Sequence, residues 1–188
     1  MSRLIDFNIE SEGKFSSLFR ELDISTFKEA CSFVQSLRYG RISDRSEFSL
    51  VLSEKKGTCS SKHALLSELA LENGIEDLEL ICGIYLMNAE TNPKISPILE
   101  KYNLLQIPEC HVYFRYKNER FDFTGIGFDI KKVEPFIVRE QRMESNQSIE
   151  WKVKIHQNYI ESWLRRNQII NFTAEKLWLI REKIINNL

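Results

Sequence analysis

"EKKGTCSSKHALLSELALENG", residues 54 to 74, decides how the rest of the chain is read. It reads as a turn followed by a helix over residues 58 to 73. Leu65, Leu66, Leu69 and Ala70 share one helical face, and Gly74 supplies a C-terminal stop. Cys59 stands where the helix begins, although cysteine is ordinarily a buried core residue. A helix start carries unpaired backbone N–H groups and a partial positive charge, and both favour an anion. A thiolate is an anion, and a cysteine so placed ionises below its free value of about 8.5. The same N–H groups can receive the oxyanion of an acyl-transfer intermediate. Gly57 would let a ligand approach the backbone closely, and Thr58, Ser60 and Ser61 suit a helix cap and a pocket floor. The competing reading is a structural cysteine in a capping region.

A thiolate nucleophile needs a histidine as proton shuttle, and that histidine needs an orienting acceptor. The chain has 3 histidines. His156 falls on the polar face of an expected helix and reads as a surface residue. His63, one turn after Cys59, points back along its own helix and reads as a supporting or surface residue. No further ligands are spaced to make a metal site with it. His111 opens an expected strand and Asp122 lies on the strand that returns. In a hairpin closed by an even-length loop, 111 and 122 point to the same face. A turn at Tyr116-Lys117, or a loop from Arg115 to Asn118, sets them directly opposite. A turn at Lys117-Asn118 makes them diagonal neighbours, and a loop from Lys117 to Arg120 sets them too far apart. Strand geometry allows the pair without forcing it.

Outward from this centre, "STFKEACSFVQSL" (25 to 37) has helical spacing at Phe27, Ala30, Phe33, Val34 and Leu37, with Ser25 or Thr26 as cap. "LELICGIYLM" (78 to 87) is an apolar run of strand length. Residues 88 to 108 contain three prolines and predict a long excursion with a short helix near 96 to 103. "CHVYFRYKNERFDFTG" predicts a hairpin with Val112, Phe114 and Tyr116 on one face and His111, Tyr113 and Arg115 on the other. Residues 139 to 150 are polar. The tail is helical, with Thr173 as a cap and a stripe at Leu177, Ile180, Ile184 and Leu188. Trp151, Trp163 and Trp178 in this region read as packing residues.

The chain's 188 residues, 43% of them hydrophobic, suit a domain with a sizeable core. With 26 basic and 27 acidic residues there is no broad field for nucleic acid or an anionic membrane, so neither is an expected partner. Arg115, Lys117 and Arg120 read as a solvated turn. No stretch has the apolar length of a membrane span, and the N-terminus lacks a signal-peptide core. A cytoplasmic protein with free thiols at 31, 59, 82 and 110 is expected. Without a C-x-x-C pair or a calcium-loop motif, no metal and no cofactor is expected.

The order helix, loop, "KGTCSSKHALLSELALENGI", strand, "HVYFRYKNERFDFTG" resembles the transglutaminase-like superfamily, the papain-related Cys–His–Asp proteins, over roughly residues 25 to 125. The matching features are the glycine, small residue and Cys at a helix start, the closing Gly74-Ile75, the His opening a strand, and the Asp of "DFT" (122 to 124). The resemblance implies an α+β fold with the Cys-bearing helix packed on an antiparallel sheet. It implies Cys59 as the nucleophile forming a thioester, His111 as the base and later the acid, and Asp122 as the orienting group. The Cys59 N–H would donate to the oxyanion, with Tyr39 of "RYGR" as a candidate second donor. Tyr113 would correspond to the aromatic that follows the His. Gly57, Thr58 and Tyr113 complete the expected oxyanion and substrate site. Residues 1–138 would form this domain and 139–188 a helical extension packed on it. The expected activity is acyl transfer from a peptide or protein amide, to water or to an amine. A catalytically inactive binding or regulatory module on the same fold is the main alternative, and a CoA-dependent acetyltransferase is a third. The oligomeric state is not legible.

Overall fold

The computed structural model describes residues 4–185 and is of mixed α+β class. The chain forms two compact units. The first holds the residues up to Cys82, Val112–Ile130 and Gln141–Ile149. The second holds Gly83–His111, Lys131–Glu140 and the chain from Glu150 onward.

Helix α1 is Lys14–Arg20. Its N-cap, Gly13, has no side chain to offer, and the Glu72 carboxylate takes over the task. It accepts from the Phe15 N–H at 2.9 Å, the Ser16 N–H at 2.7 Å and the Ser16 hydroxyl at 2.7 Å. The two N–H groups are among the orphan donors that every helix start leaves. Helix α2, Phe27–Ser36, begins at Thr26, one of the two caps its sequence offers, and Glu29 closes a capping box there. Strand β1 (Arg38–Tyr39), helix α3 (Leu50–Ser53) and strand β2 (Lys56–Gly57) lead into helix α4, Cys59–Glu72. Gly74 ends α4 at φ 76°, a conformation that favours glycine.

Helix α4 is the centre of the first unit. Every residue from Cys59 to Ser67 is buried, as are Leu69 and Ala70. Its sequence predicts one buried face, but the structure buries all of them, polar Ser60, Ser61, Lys62 and His63 included. Neighbours cover it on several sides, so apolar periodicity alone understates its enclosure.

Strands β3 (Glu79–Asn88), β4 (Gln106–Tyr116), β5 (Glu119–Phe121) and β6 (Ile137–Arg142) form a sheet in the order β5-β4-β3-β6. Helix α5, Ser96–Lys101, occupies the excursion between β3 and β4, where a short helix is expected. Helix α6 is Ile130–Val133. Strand β6 is a departure, because residues 139 to 150 read as polar chain. It is an edge strand with one partner and no buried residue, so it carries no apolar alternation to betray it.

In the second unit, helix α7 (Glu150–Arg166) buries Tyr159, Ile160, Trp163 and Leu164. Helix α8 (Ala174–Ile185) buries Leu177, Ile180 and Ile184, and the Thr173 hydroxyl accepts the Lys176 N–H at 3.2 Å as a cap. Leu188, which closes that stripe in sequence, lies outside the described residues. His156 does not lie on the surface. It is 1% exposed, its Nε2 donates to the Pro108 carbonyl at 2.8 Å, and its ring stands edge to face with Trp178. The polar neighbours that suggested a surface in sequence include Lys152, itself buried.

Candidate functional site

Cys59 is the first residue of α4. Thr58 is the N-cap, with φ −83° and ψ 171°. The Thr58 N–H donates to Ser61 Oγ at 2.9 Å, and Thr58 Oγ1 accepts the Ser61 N–H at 3.5 Å. This reciprocal box uses the amides of Thr58 and Ser61 and does not use those of Cys59 and Ser60. Cys59 is 6% exposed. All four cysteines are free and buried.

Strands β1 and β2 run parallel, with Tyr39 opposite Gly57 and the Gly40 N–H donating to the Gly57 carbonyl at 3.3 Å. The "RYGR" segment therefore lies beside the backbone that enters α4. The Tyr39 side chain is exposed. Gly57 does not open the backbone to a ligand as its sequence context suggests. A Cβ there would come within 2.7 Å of Lys62 Cγ, 3.1 Å of Ser61 Oγ and 3.3 Å of Val51 Cγ2. The space above Gly57 is filled by the stem of Lys62. Tyr113 is 1% exposed, and its ring belongs to the core rather than to a substrate-facing wall.

The hairpin turns at Lys117-Asn118, both at positive φ (46° and 64°), as a two-residue hairpin loop demands. Phe114 pairs with Phe121, Arg115 with Arg120 and Tyr116 with Glu119. Of the alternatives that the sequence leaves open, this turn sets residue 122 opposite 113 by counting, with 111 the next same-side position along β4. His111 is the last residue of β4 that belongs to the second unit. It is buried and meets Tyr85 edge to face, with ring centroids 6.4 Å apart.

Asp122 belongs to the first unit with Cys59. Its Oδ1 accepts the Thr124 N–H at 2.8 Å and its carbonyl accepts from Gln35 Nε2 at 3.4 Å. Two successive residues of α4 hold the next two. The Phe123 N–H donates to His63 Nε2 at 2.9 Å, and Lys62 Nζ donates to the Thr124 carbonyl at 2.7 Å. Lys62 Nζ also donates to the Leu37 carbonyl at 2.6 Å. His63 Nδ1 lies 2.8 Å from the Cys59 carbonyl. A carbonyl can only accept and an amide N–H can only donate, so Nδ1 carries the proton, Nε2 does not, and the ring is neutral. His63 is thus an internal strut from α4 to the Asp122 segment, fully buried, and not a surface residue.

Lys62 was missed in the sequence as a site residue. It is 0% exposed, and among the described residues no carboxylate lies within ion-pairing distance. Burial lowers its pKa to about 8, opposed by the negative charge of Asp122 and of Cys59. One ammonium therefore feels both the candidate nucleophile and the candidate orienting carboxylate. The only signal in sequence is its i+3 spacing from Cys59, which puts the two on neighbouring positions of a helix. The Thr124 hydroxyl, beside the carbonyl that anchors Lys62, is buried with no hydrogen-bond partner among the described residues.

A crevice of about 30 Å³ at the start of α4 is lined by Arg41, Ile42, Arg45, Thr58, Ser60, Ser61 and Ile149. Among the described residues no three His, Cys, Asp or Glu side chains gather as a metal-binding group, and no helix is long and apolar enough to cross a membrane. Comparison with family models, with curated proteins and with solved structures finds no match for this chain.

Proposed function

We propose that the chain is a cysteine-dependent acyl-transfer enzyme of transglutaminase-like type, acting in the cytoplasm on a peptide or protein amide. The observation that carries this reading is the position of Cys59. It is the first residue of a 14-residue, Thr58-capped helix, with the Asp122 segment tied to the next turn of that same helix. A thiolate there gains from the helix dipole and from the amides that the capping box leaves aside.

In this reading Cys59 Sγ attacks the amide carbonyl carbon, and the tetrahedral oxyanion is met by the Cys59 N–H and a donor of the Tyr39 segment. His111 takes the thiol proton and returns it to the leaving amine, and a thioester remains. Water or a second amine then attacks the thioester, with His111 as base, and frees Cys59. Asp122 orients His111 and stabilises its cation.

The first test is the iodoacetamide alkylation rate of Cys59 against pH, read by peptide mass spectrometry. A titration midpoint well below about 8.5 that moves in His111→Ala supports the reading. A Cys59 that titrates as an ordinary thiol, or amide turnover that survives Cys59→Ala, overturns it. The inactive-module reading has one observation in its favour. The crevice at the start of α4 is lined by Thr58, Ser60 and Ser61 and not by Cys59. Partner capture retained by Cys59→Ala, from a wild type without amide turnover, would favour that module.

A further inference from the structure

We propose that the Lys62 ammonium is a positioning charge for Cys59, held by the carbonyls of Leu37 and Thr124 so that the thiol at the start of α4 stays ionised. The inference rests on reading Cys59 as the nucleophile and adds the group that sets its charge state.

Two carbonyls explain two of the three N–H donors of Lys62, but they do not explain its charge. A glutamine or asparagine amide could donate to one or both carbonyls without taking an ion out of water. Burying an ammonium is costly unless an anion compensates it. Buried cations are therefore normally paired, and Lys62 has no carboxylate at ion-pairing distance among the described residues. The anions whose charge reaches it are Asp122 and Cys59. Asp122 is the stronger influence of the two, and its Oδ1 also accepts the Thr124 N–H. Cys59 lies three residues before Lys62 on the same helix, and its ionised form would supply a second counter-charge beside that of Asp122. The glycine at 57 is part of the device, because a side chain there would occupy the channel that the Lys62 stem uses.

The other groups around this charge are accounted for. His63 is neutral by its two hydrogen bonds. Arg41 and Arg45 line the crevice at the same helix start and are the same in wild type and in every variant of the test.

The test is the pH profile of Cys59 alkylation in wild type, Lys62→Met, Lys62→Gln and His111→Ala. Lys62→Gln keeps hydrogen-bond donors and loses the charge, so a shift shared with Lys62→Met reports charge rather than packing. The expected result is an upward shift of the Cys59 midpoint by about one pH unit or more in both Lys62 variants. A depressed wild-type midpoint that moves in His111→Ala and not in the Lys62 variants overturns the inference and leaves the triad standing. A midpoint that moves with Lys62 and not with His111 supports the inference and removes the triad. An ordinary thiol in wild type overturns both. Should the Lys62 variants fail to fold, the coupling is read from the other side, by the ¹³Cε NMR titration of Lys62 in wild type and Cys59→Ser. Coupling is reciprocal, so Lys62 must lose its proton at lower pH once the thiolate is gone. An unchanged Lys62 titration overturns the inference.

Discussion

Each unit holds a cation largely out of water, Lys62 in the first and Arg181 in the second, and the two are treated in opposite ways. In the second unit, Arg181 of α8 grips Glu109 of β4 with two bonds of 2.6 and 2.7 Å, side by side. Burial pushes the Glu109 carboxyl up, but Arg181 outweighs it and holds it at about 2. Burial likewise works against the Arg181 charge, and Glu109 more than restores it. Glu182 adds a bond of 2.5 Å to the Arg181 Nη1, and the Arg181–Glu109 pair fastens α8 to β4. In the first unit, Lys62 has carbonyl dipoles for partners, and burial prevails, lowering its pKa to about 8. A satisfied ion pair exports little field, whereas a cation held only by neutral groups projects its charge onto whatever anion forms nearby. The contrast separates a structural pin from a poised site. Cys31 shows a buried thiol with no such cation beside it. Burial, and then Asp6, pushes the Cys31 thiol well above its ordinary value, and nothing cationic offsets either.

The contrast can be broken most directly at the pin. Arg181→Met strands the Glu109 carboxylate in the second unit's interior and should cost about 3–5 kcal/mol in urea denaturation. A loss under about 1 kcal/mol would mean that the pair is incidental. Its pH signature follows from the depressed Glu109 value. The pair's stabilisation is fully present above the ordinary glutamate value of 4.5 and is lost as pH falls toward about 2.

Gly57→Ala tests the channel for the Lys62 stem. With Lys62 Cγ only 2.7 Å from the new Cβ, the ammonium must shift. We expect a cost of about 1–3 kcal/mol by chemical denaturation and a rise in the Cys59 alkylation midpoint. A stable variant with an unchanged midpoint would show that the channel is not needed.

Lys62→Met should be milder than Arg181→Met, because it strands no carboxylate. Each carbonyl that loses its donor costs about 1–3 kcal/mol, offset by removal of a desolvated charge. We expect a net change under about 2 kcal/mol at neutral pH. The sign of its pH dependence is fixed. The folded pKa is about 8 and the ordinary value 10.5, so between them the unfolded chain holds the extra proton. Wild-type stability therefore gains a contribution as pH rises from about 8 to 10.5, and the difference between wild type and Lys62→Met should change over that window. A constant difference there would remove Lys62 as an unpaired charge.

The smallest effect sharpens the comparison between helix caps. Thr58→Ala and Thr173→Ala should each cost about 1 kcal/mol in thermal unfolding. Only the first should move the pH profile of Cys59, since Thr58 orders the amides around the thiol and Thr173 caps α8.

The sequence by itself determined the local elements. Helix α2, helix α4 with Cys59 at its start and Gly74 at its end, strand β3, and the existence of a hairpin after Cys110 follow from periodicity, caps and alternation, which act within a few residues, whereas the turn at 117-118 is one of several that the sequence leaves open. Edge strand β6 escaped because one neighbour and no buried residue leave no alternation to read. Helix α1 escaped because its cap comes from Glu72, far along the chain. Only the tertiary structure decided what Lys62, His63, Gly57 and His156 do. Lysine and histidine in a polar stretch look like solvent-facing residues until other segments cover them. The partners that cover these are main-chain groups at Leu37, Phe123, Thr124 and Pro108. Every residue carries the same amide and carbonyl, so no letter of the sequence marks which of them will accept a buried ammonium or meet a histidine.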